Sequence, residues 1–466
     1  MRMVDDVVRQ FRNGLTDLVR DLDGEGLTPT TFVGFIGGLK ALINRVALNA
    51  FIETVLRHEE TGDVVEHGGQ QHRFKVVSVK EWISPFGLAE IPRRYFQPDR
   101  GGEGVAPLDV RCGMVDRPMT PDVEELCAFS SALLVPRMAE TLLGKMLPHR
   151  PSATAIHHVI HHVGTFAEQA DDKIEAAMQE QAPLSSEGDV LVQSWDGVTV
   201  PLREEGAKTG RKPERPGVRD SQDDRTPTAW KEAGVASISI YSQDDDNKPV
   251  RIDKRYLARM PESGMARLLE QQNRVVAPLL RRPLREIVLL CDGKPAIWTA
   301  AEKLNSFPMA TLILDFYHAT EHLSKAAEAL FGKKSVPGRR WYDKHYEGLR
   351  DAEGGATAAI RSMLYYLVKL KLRKGSERYK TVWRVIKHFR RNLALMDYAT
   401  FRSRGLPIGS GPVEAACKTV VGARIKLSGM RWTREGGQLV LNLRIYVLSE
   451  RWDVFWNTYM DARSVA

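Results

Sequence analysis

Cysteine is scarce: four in 466 residues, at Cys112, Cys127, Cys291 and Cys417, with no CxxC pair among them. That argues against a zinc ribbon, a redox dithiol or a disulfide scaffold, and it fits a reducing cytoplasm. Long uncharged apolar runs are missing as well. The stretch 28–56 is apolar, but Lys40, Arg45 and Glu53 interrupt it, so it is expected as a packed helix and not a membrane span. Residues 1–20 carry charges throughout, which argues against a secretory leader there. No internal repeat or low-complexity tract is found. Acid is in deficit: 67 Lys and Arg against 59 Asp and Glu leave a net charge of +8 and a pI near 9.2. The imbalance points to an anionic partner, of which nucleic acid is the common one.

Hydrophobic residues, at 43%, are enough for a sizeable core. The length calls for roughly two to four units. Three-and-four spacing predicts helices over 3–22 and 30–60, the latter through Ile36, Leu39, Leu42, Ile43 and Val46. Between Phe74 and Met114, Val76, Val77 and Val79, then Ile91, Tyr95 and Phe96, predict short strands, with a turn at Asp99-Arg100-Gly101-Gly102. Helices are expected over 122–147 and 152–181, punctuated by Pro148 and Pro151, with Ser152 as a cap. Paired helices in a basic chain make 119–186 a candidate helix-turn-helix region, although paired helices are common.

Residues 188–325 have α/β texture. Val190, Val192, Val198 and Val200 share one strand face, and Asp196 falls in their register. Further strands are expected around Ala236, Ile238 and Ile240, then Val250, Ile252 and Tyr256, with a helix over 263–281. The apolar runs 287–290 and 311–314, separated by a helix over 296–305, read as buried parallel strands of a βαβ unit. Residues 326–405 look all-helical and basic. The mixed-charge stretch 204–224 is expected as a mobile loop. The division that follows is 1–75 helical, 76–118 β-rich, 119–186 helical, 187–325 with 406–446 as the α/β core, 326–405 as a helical insertion, and 447–466 as a helical tail.

Several residues could carry chemistry. Asp196 breaks an apolar register, as functional residues do, though a turn aspartate before Gly197 would look the same. Asp292 and Asp315 close adjacent strands at their carboxyl ends, the edge where open α/β sheets bind ligands, yet strands also end in Asp-Gly for structural reasons. Glu414 follows Pro412 in the first turn of a helix, where an acid also serves the helix dipole. Scattered carboxylates without a Cys/His set suit hard divalent ions. His157, His158, His161 and His162 repeat at helical spacing but lack an acid to complete a site, and are expected to be solvated or to face DNA. His318 lies three residues beyond Asp315, and His322 four further on.

From 369 to 391 there are ten basic residues, Lys369, Lys371, Arg373, Lys374, Arg378, Lys380, Arg384, Lys387, Arg390 and Arg391, against one acid, Glu377. Tyr379, Trp383 and Phe389 are interleaved. Either this is a solvated helix face or it grips phosphate, and the charge ratio favours phosphate. Arg424, Lys426, Arg431 and Arg434 around Trp432 extend it.

The motifs Trp195-Asp196-Gly197, Cys291-Asp292-Gly293, Asp315-Phe316-Tyr317-His318 and Gly409-Ser410-Gly411-Pro412-Val413-Glu414 resemble those of ISKra-type insertion-sequence transposases, which are similar to Mutator-like DDE transposases. The likeness takes in Ala415-Ala416-Cys417-Lys418, Ser428-Gly429-Met430-Arg431-Trp432 and Arg451-Trp452-Asp453, over roughly 76–456. It implies a ribonuclease H-like α/β core, a mixed sheet flanked by helices, with an all-helical insertion and a largely helical N-terminal region. Asp196 would sit on the first strand, Asp292 after the fourth, and Glu414 on a helix after the insertion. These three would hold two Mg2+ ions, with Mn2+ as a substitute. Asp315 and His318 would match the (C/D)xxH signature as supporting residues. The implied activity is cleavage of transposon ends and strand transfer into target DNA by a homo-oligomer on DNA, in the bacterial cytoplasm at the nucleoid, with no membrane and no small-molecule substrate. A nuclease of the same fold that does not join strands, or a non-catalytic DNA-binding protein, are the alternatives. Relatives often carry a cysteine knuckle before a Pro-Leu-Asp segment. Here Pro107-Leu108-Asp109 follows a stretch without cysteine, so strand pairing is expected to hold that region.

Overall fold

The computed structural model describes residues 2–99, 101–203 and 229–464. The stretch 204–224, expected as a loop, lies outside them. Contacts divide the chain into two compact units, Met1–Phe166 with Trp456–Ala466, and Ala167–Phe455.

In the first unit, helices Arg2–Glu25 and Pro29–Leu56 pack on each other. The Thr28 hydroxyl accepts from the Thr31 amide at 3.2 Å and starts the second helix. That helix is long and apolar enough to cross a membrane by length and composition. The expected packing is confined to a narrow stripe: only Leu42 and Val46 are buried, while Phe32, Val33, Ile36 and Ile43 are exposed.

Three antiparallel strands follow, β1 (Val64–His67), β2 (Gln70–Ser84) and β3 (Gly87–Pro98), in the order β1-β2-β3. Short strands were expected here, but the hairpin is long, because no glycine or proline interrupts 70–84. The cysteine-free segment after it is held by a bridge between Phe96 and Val105, and by buried Asp109, which accepts from Arg93 at 2.9 Å and Lys80 at 3.2 Å.

The two helices expected over 122–181 are four: Pro121–Leu133, Pro136–Met146, Ala153–Gln169 and Asp171–Gln181. Pro136 opens the second of these helices and drives Val135 before it extended, at φ −73° and ψ 151°. Ala170 leaves helical geometry just before the acids Asp171 and Asp172, which favour a fresh N-terminus. The Ser152 hydroxyl caps its helix by accepting from Ala155 N at 3.1 Å. All four histidines of 157–162 are exposed.

Glu124 anchors this unit. Its side chain is buried, receives Tyr459 Oη at 2.9 Å and Arg463 Nη1 at 2.6 Å, and pairs with Arg117.

The second unit holds a five-stranded mixed sheet, β4 (Val190–Leu202), β5 (Ala229–Gln243), β6 (Pro249–Arg259), β7 (Glu286–Cys291) and β8 (Thr311–Leu314). Its order is β6-β5-β4-β7-β8, with β4, β5 and β6 antiparallel and β7 and β8 parallel to β4. Helix Pro295–Ala301 makes the β7-to-β8 crossover. Helix Ala266–Val276 lies against β5 and β6, and helix Arg434–Leu448 against β6. β4 is buried on both sides from Val190 to Trp195, so alternation of apolar residues is not what identifies it.

Helix Phe316–Phe331 packs on Val190, Val192, Val288 and Leu290 through Phe316, Ala319 and Leu323. The helices Val336–Asp351, Gly355–Lys369, Glu377–Arg391 and Tyr398–Ser403 join that same core through Trp341, Met363, Val385, Phe389 and Tyr398.

Breaking the Glu124 cluster is expected to be costly. Glu124→Ala leaves Arg117 and Arg463 without their shared carboxylate, a loss of about 3–5 kcal/mol for a buried pair. It should lower the urea midpoint of the full chain; an unchanged midpoint would remove Glu124 as an anchor.

Candidate active site

Pairing of β4 with β7 stops at Gln193 and Leu289. Asp196 and Asp292 each lie three residues beyond the last paired residue of their chain segments, so the two acids flank the opening between diverging strands. Lys294 closes it. Its Nζ stands 3.2 Å from Asp292 Oδ2, 3.7 Å from Asp196 Oδ1 and 3.3 Å from Glu232 Oε1. Glu232 is a fourth acid that sequence reasoning missed. It sits on β5 opposite Thr199, and its side chain crosses Gly197: a Cβ there would fall 2.1 Å from Glu232 Oε1. Glycine at 197 is the one sequence signal of that approach. Backbone amides fix the first two acids, Gly197 N donating to Asp196 Oδ1 at 2.7 Å and Lys294 N to Asp292 Oδ1 at 2.9 Å.

Asp315 is buried and fully engaged. One oxygen accepts from His318 N at 2.7 Å, capping helix Phe316–Phe331, and the other accepts from Ser410 N at 2.5 Å. Ser410 is the N-cap of helix Gly411–Ala416, and its carbonyl accepts from Glu414 N at 3.1 Å. Asp315 therefore ties the end of β8 to the turn that presents Glu414. The helix starts at Gly411, one residue before Pro412, and Glu414 is exposed in its first turn.

The chain then widens into a π-helical turn, Cys417–Gly422. Such turns recur at functional sites. Buried Arg444 donates to the Val420 carbonyl at 2.7 Å and to that of Thr419. Cys417 Sγ lies 3.9 Å from Asp196 Oδ2, and burial, then Asp196, push its thiol up to about 12.

Electrostatics fit a cation site. Burial raises the Asp196 carboxyl above the usual range, with Asp292 and Glu232 adding to it against Lys294. Burial, then Asp315, also raises Glu414, with Asp196 and Glu321 adding and Lys418 opposing. For Lys294, burial opposes the charge, but Asp292 and Glu232 outweigh it and hold the ammonium well above its ordinary value. The Lys294 ammonium is thus held among the oxygens of three carboxylates. That donor set suits hard divalent ions such as Mg2+.

Next to Asp292 lies a group of three half-buried histidines, His318, His322 and His388. Burial first, then the neighbouring rings, pushes His322 down to about 3, while burial and then His318 push His388 to about 4. His388, on helix Glu377–Arg391, is a candidate ligand that sequence reasoning missed, being 66 residues beyond His322.

The expected DNA-contacting residues divide. Lys369, Lys371, Arg373, Lys374, Lys380, Arg384, Lys387 and Arg390 are exposed. Arg378 and Arg391 are exposed as well, and their side chains are engaged: Arg378 donates to the carbonyls of Ala329 and Leu330, both at 2.7 Å, at the end of a helix, and Arg391 to Gly293 O at 3.1 Å. Arg424 is a correction. It is buried, 5.3 Å over the Trp432 ring, and burial lowers it to about 10, so it cannot reach phosphate from there. Trp432 is half-buried, and its indole donates to Ile425 O at 2.9 Å. Lys426 and Arg431 are exposed. The interleaved aromatics pack inward, Phe389 fully and Tyr379 and Trp383 partly.

Searches of family models and of curated proteins give no match. Among solved structures, the chain is similar to a Drosophila P element transposase strand transfer complex, with 12% identity over 71% of this chain and 80% of that one and a TM-score of 0.26. It is also similar to a Mos1 transposase paired-end complex with left transposon end, at 10% identity over 62% and 79%, with a TM-score of 0.15.

A raised carboxyl binds its proton more tightly in the folded state, so folding stability falls as pH rises through the folded pKa. Asp196→Asn should therefore raise the melting temperature of metal-free protein at neutral pH, and the gain should vanish in acid. Mg2+ affinity should weaken on acidification from a higher pH than for ordinary carboxylates. A neutral-pH melting temperature lowered by Asp196→Asn would contradict the crowding.

Proposed function

We propose that this protein is a DDE transposase with a ribonuclease H-like core, of the ISKra type its motifs resemble. One observation carries the reading: Asp196 and Asp292 face each other across the opening of β4 and β7 and share one ammonium, with Glu414 in electrostatic reach of Asp196. The order of acids along the core supports it. Asp196 is on the first strand of the sheet, Asp292 follows the fourth, Asp315 follows the fifth, and Glu414 opens a helix after the helical insertion.

Asp196, Asp292 and Glu414 would hold two Mg2+ ions, which in such sites activate the attacking oxygen and stabilise the leaving one during in-line displacement at phosphorus. The protein's own contribution is positioning. Asp315 holds the turn before Glu414, and the Gly197 and Lys294 amides orient Asp196 and Asp292. Lys294 compensates the gathered charge and would give way to the ions. The exposed face of Lys380, Arg384 and Lys387 grips backbone phosphate, and the helices over 121–181 recognise element ends. Water would attack first at the element end, and the freed 3′ hydroxyl would then attack target DNA in the same geometry.

Labelled DNA from the inverted repeats flanking the gene tests this, with wild type and Glu414→Gln run with Mg2+ and with chelator. Wild type alone, with Mg2+ alone, should give cleaved and joined products, and Glu414→Gln should lose about 10²-fold or more in rate. Cleavage without joining would reduce the protein to a nuclease. Tight binding with no products from wild type would leave a DNA-binding protein.

Backbone grip has its own signature. Lys387→Ala should weaken binding similarly for all sequences and reduce the slope of log affinity against log salt by about 1. An unchanged slope would move the DNA path off that helix.

A further inference from the structure

We propose that His318, His322 and His388 form a transition-metal site of zinc type, separate from the carboxylates. His318 and His322 stand one turn apart on helix Phe316–Phe331, the i,i+4 spacing that lets two imidazoles hold one ion. Their Nε2 atoms are 3.3 Å apart. Two nitrogens about 2.0–2.1 Å from one tetrahedral ion stand about 3.4 Å apart, so this pair already spans a tetrahedral edge. The third ring comes from helix Glu377–Arg391. His388 lies over His322 with ring centroids 4.1 Å apart, and the candidate ligand atoms of all three histidines fall within 4.8 Å of one another.

The third ligand is poised rather than spent. His388 Nε2 is buried and has no hydrogen-bond partner, a costly condition that coordination would relieve. Its Nδ1 faces the Asn392 carboxamide at 3.4 Å, which holds the ring from its far side. The backbone is shaped around the ring as well. A Cβ on Gly293 would fall 2.4 Å from His388 Cε1 and 3.1 Å from Nε2, so only glycine lets the loop after Asp292 pass there.

Imidazole nitrogens select zinc-class ions over Mg2+, which prefers oxygen. Three ligands leave a fourth position for water. An ion here would pin the helix that follows β8 to the most basic helix of the insertion, beside the loop carrying Asp292. It would couple the phosphate-gripping face to one wall of the carboxylate site. The inference does not depend on the carboxylates being catalytic.

The full chain, stripped of metal and dialysed against Zn2+ with excess Mg2+, tests it by metal analysis. Wild type and the triple variant Asp196→Asn, Asp292→Asn, Glu414→Gln should each retain about one equivalent, and His322→Ala and His388→Gln should each retain under about a tenth. Co2+ on wild type needs no variant to fold: strong visible bands of a four-coordinate site with three nitrogens and one water are expected. Retention unchanged in both histidine variants, loss in the carboxylate variant alone, or weak six-coordinate Co2+ bands would each overturn the proposal.

Discussion

Carboxylates gathered at one edge of a sheet repel each other, and the second unit is arranged around making that repulsion tolerable. Asp196, Asp292 and Glu232 share the Lys294 ammonium. Backbone amides take up oxygens of Asp196, Asp292 and Asp315, so none of these relies on side-chain charge alone. The arrangement is compensated but not relaxed: Asp196 and Glu414 still sit above their usual range, with burial the largest cause in each. Carboxylates held in that state have free energy to return if a cation binds among them.

The acids divide into those that face outward and the one that does not. Asp315 is buried with both oxygens used by backbone donors, and its work is to hold Ser410 and so the start of the Glu414 helix. Swapping its role with Asp292 would fail at either place, because one carboxylate needs free lone pairs and the other needs none.

The parallel strands were legible in the sequence because burial on both faces leaves uncharged runs, and 287–290 and 311–314 are such runs. Asp292 and Asp315 were legible as their ends. The hidden contributions came from distance along the chain. Glu232 reaches the site across Gly197, and His388 across Gly293, and in both cases the signal is the absence of a side chain somewhere else. One basic residue was misread where composition alone was used. Arg424 looks like its exposed neighbours in sequence, yet it is buried over Trp432. The break at 134–136 has its signal in Pro136, whose effect on Val135 outweighs the helical periodicity around it.

Glu414 lies 99 residues beyond Asp315, and the helices between them share their core with the sheet. This has a consequence for synthesis. At ribosomal rates of about 5–20 residues per second, several seconds separate the emergence of the fifth core strand from that of the third acid. Nascent chains can pair their strands and bring Asp196 opposite Asp292 during that interval, but they lack Glu414. A growing polypeptide therefore lacks the Glu414 helix until most of its length has been translated, and chains cut short before it never acquire it.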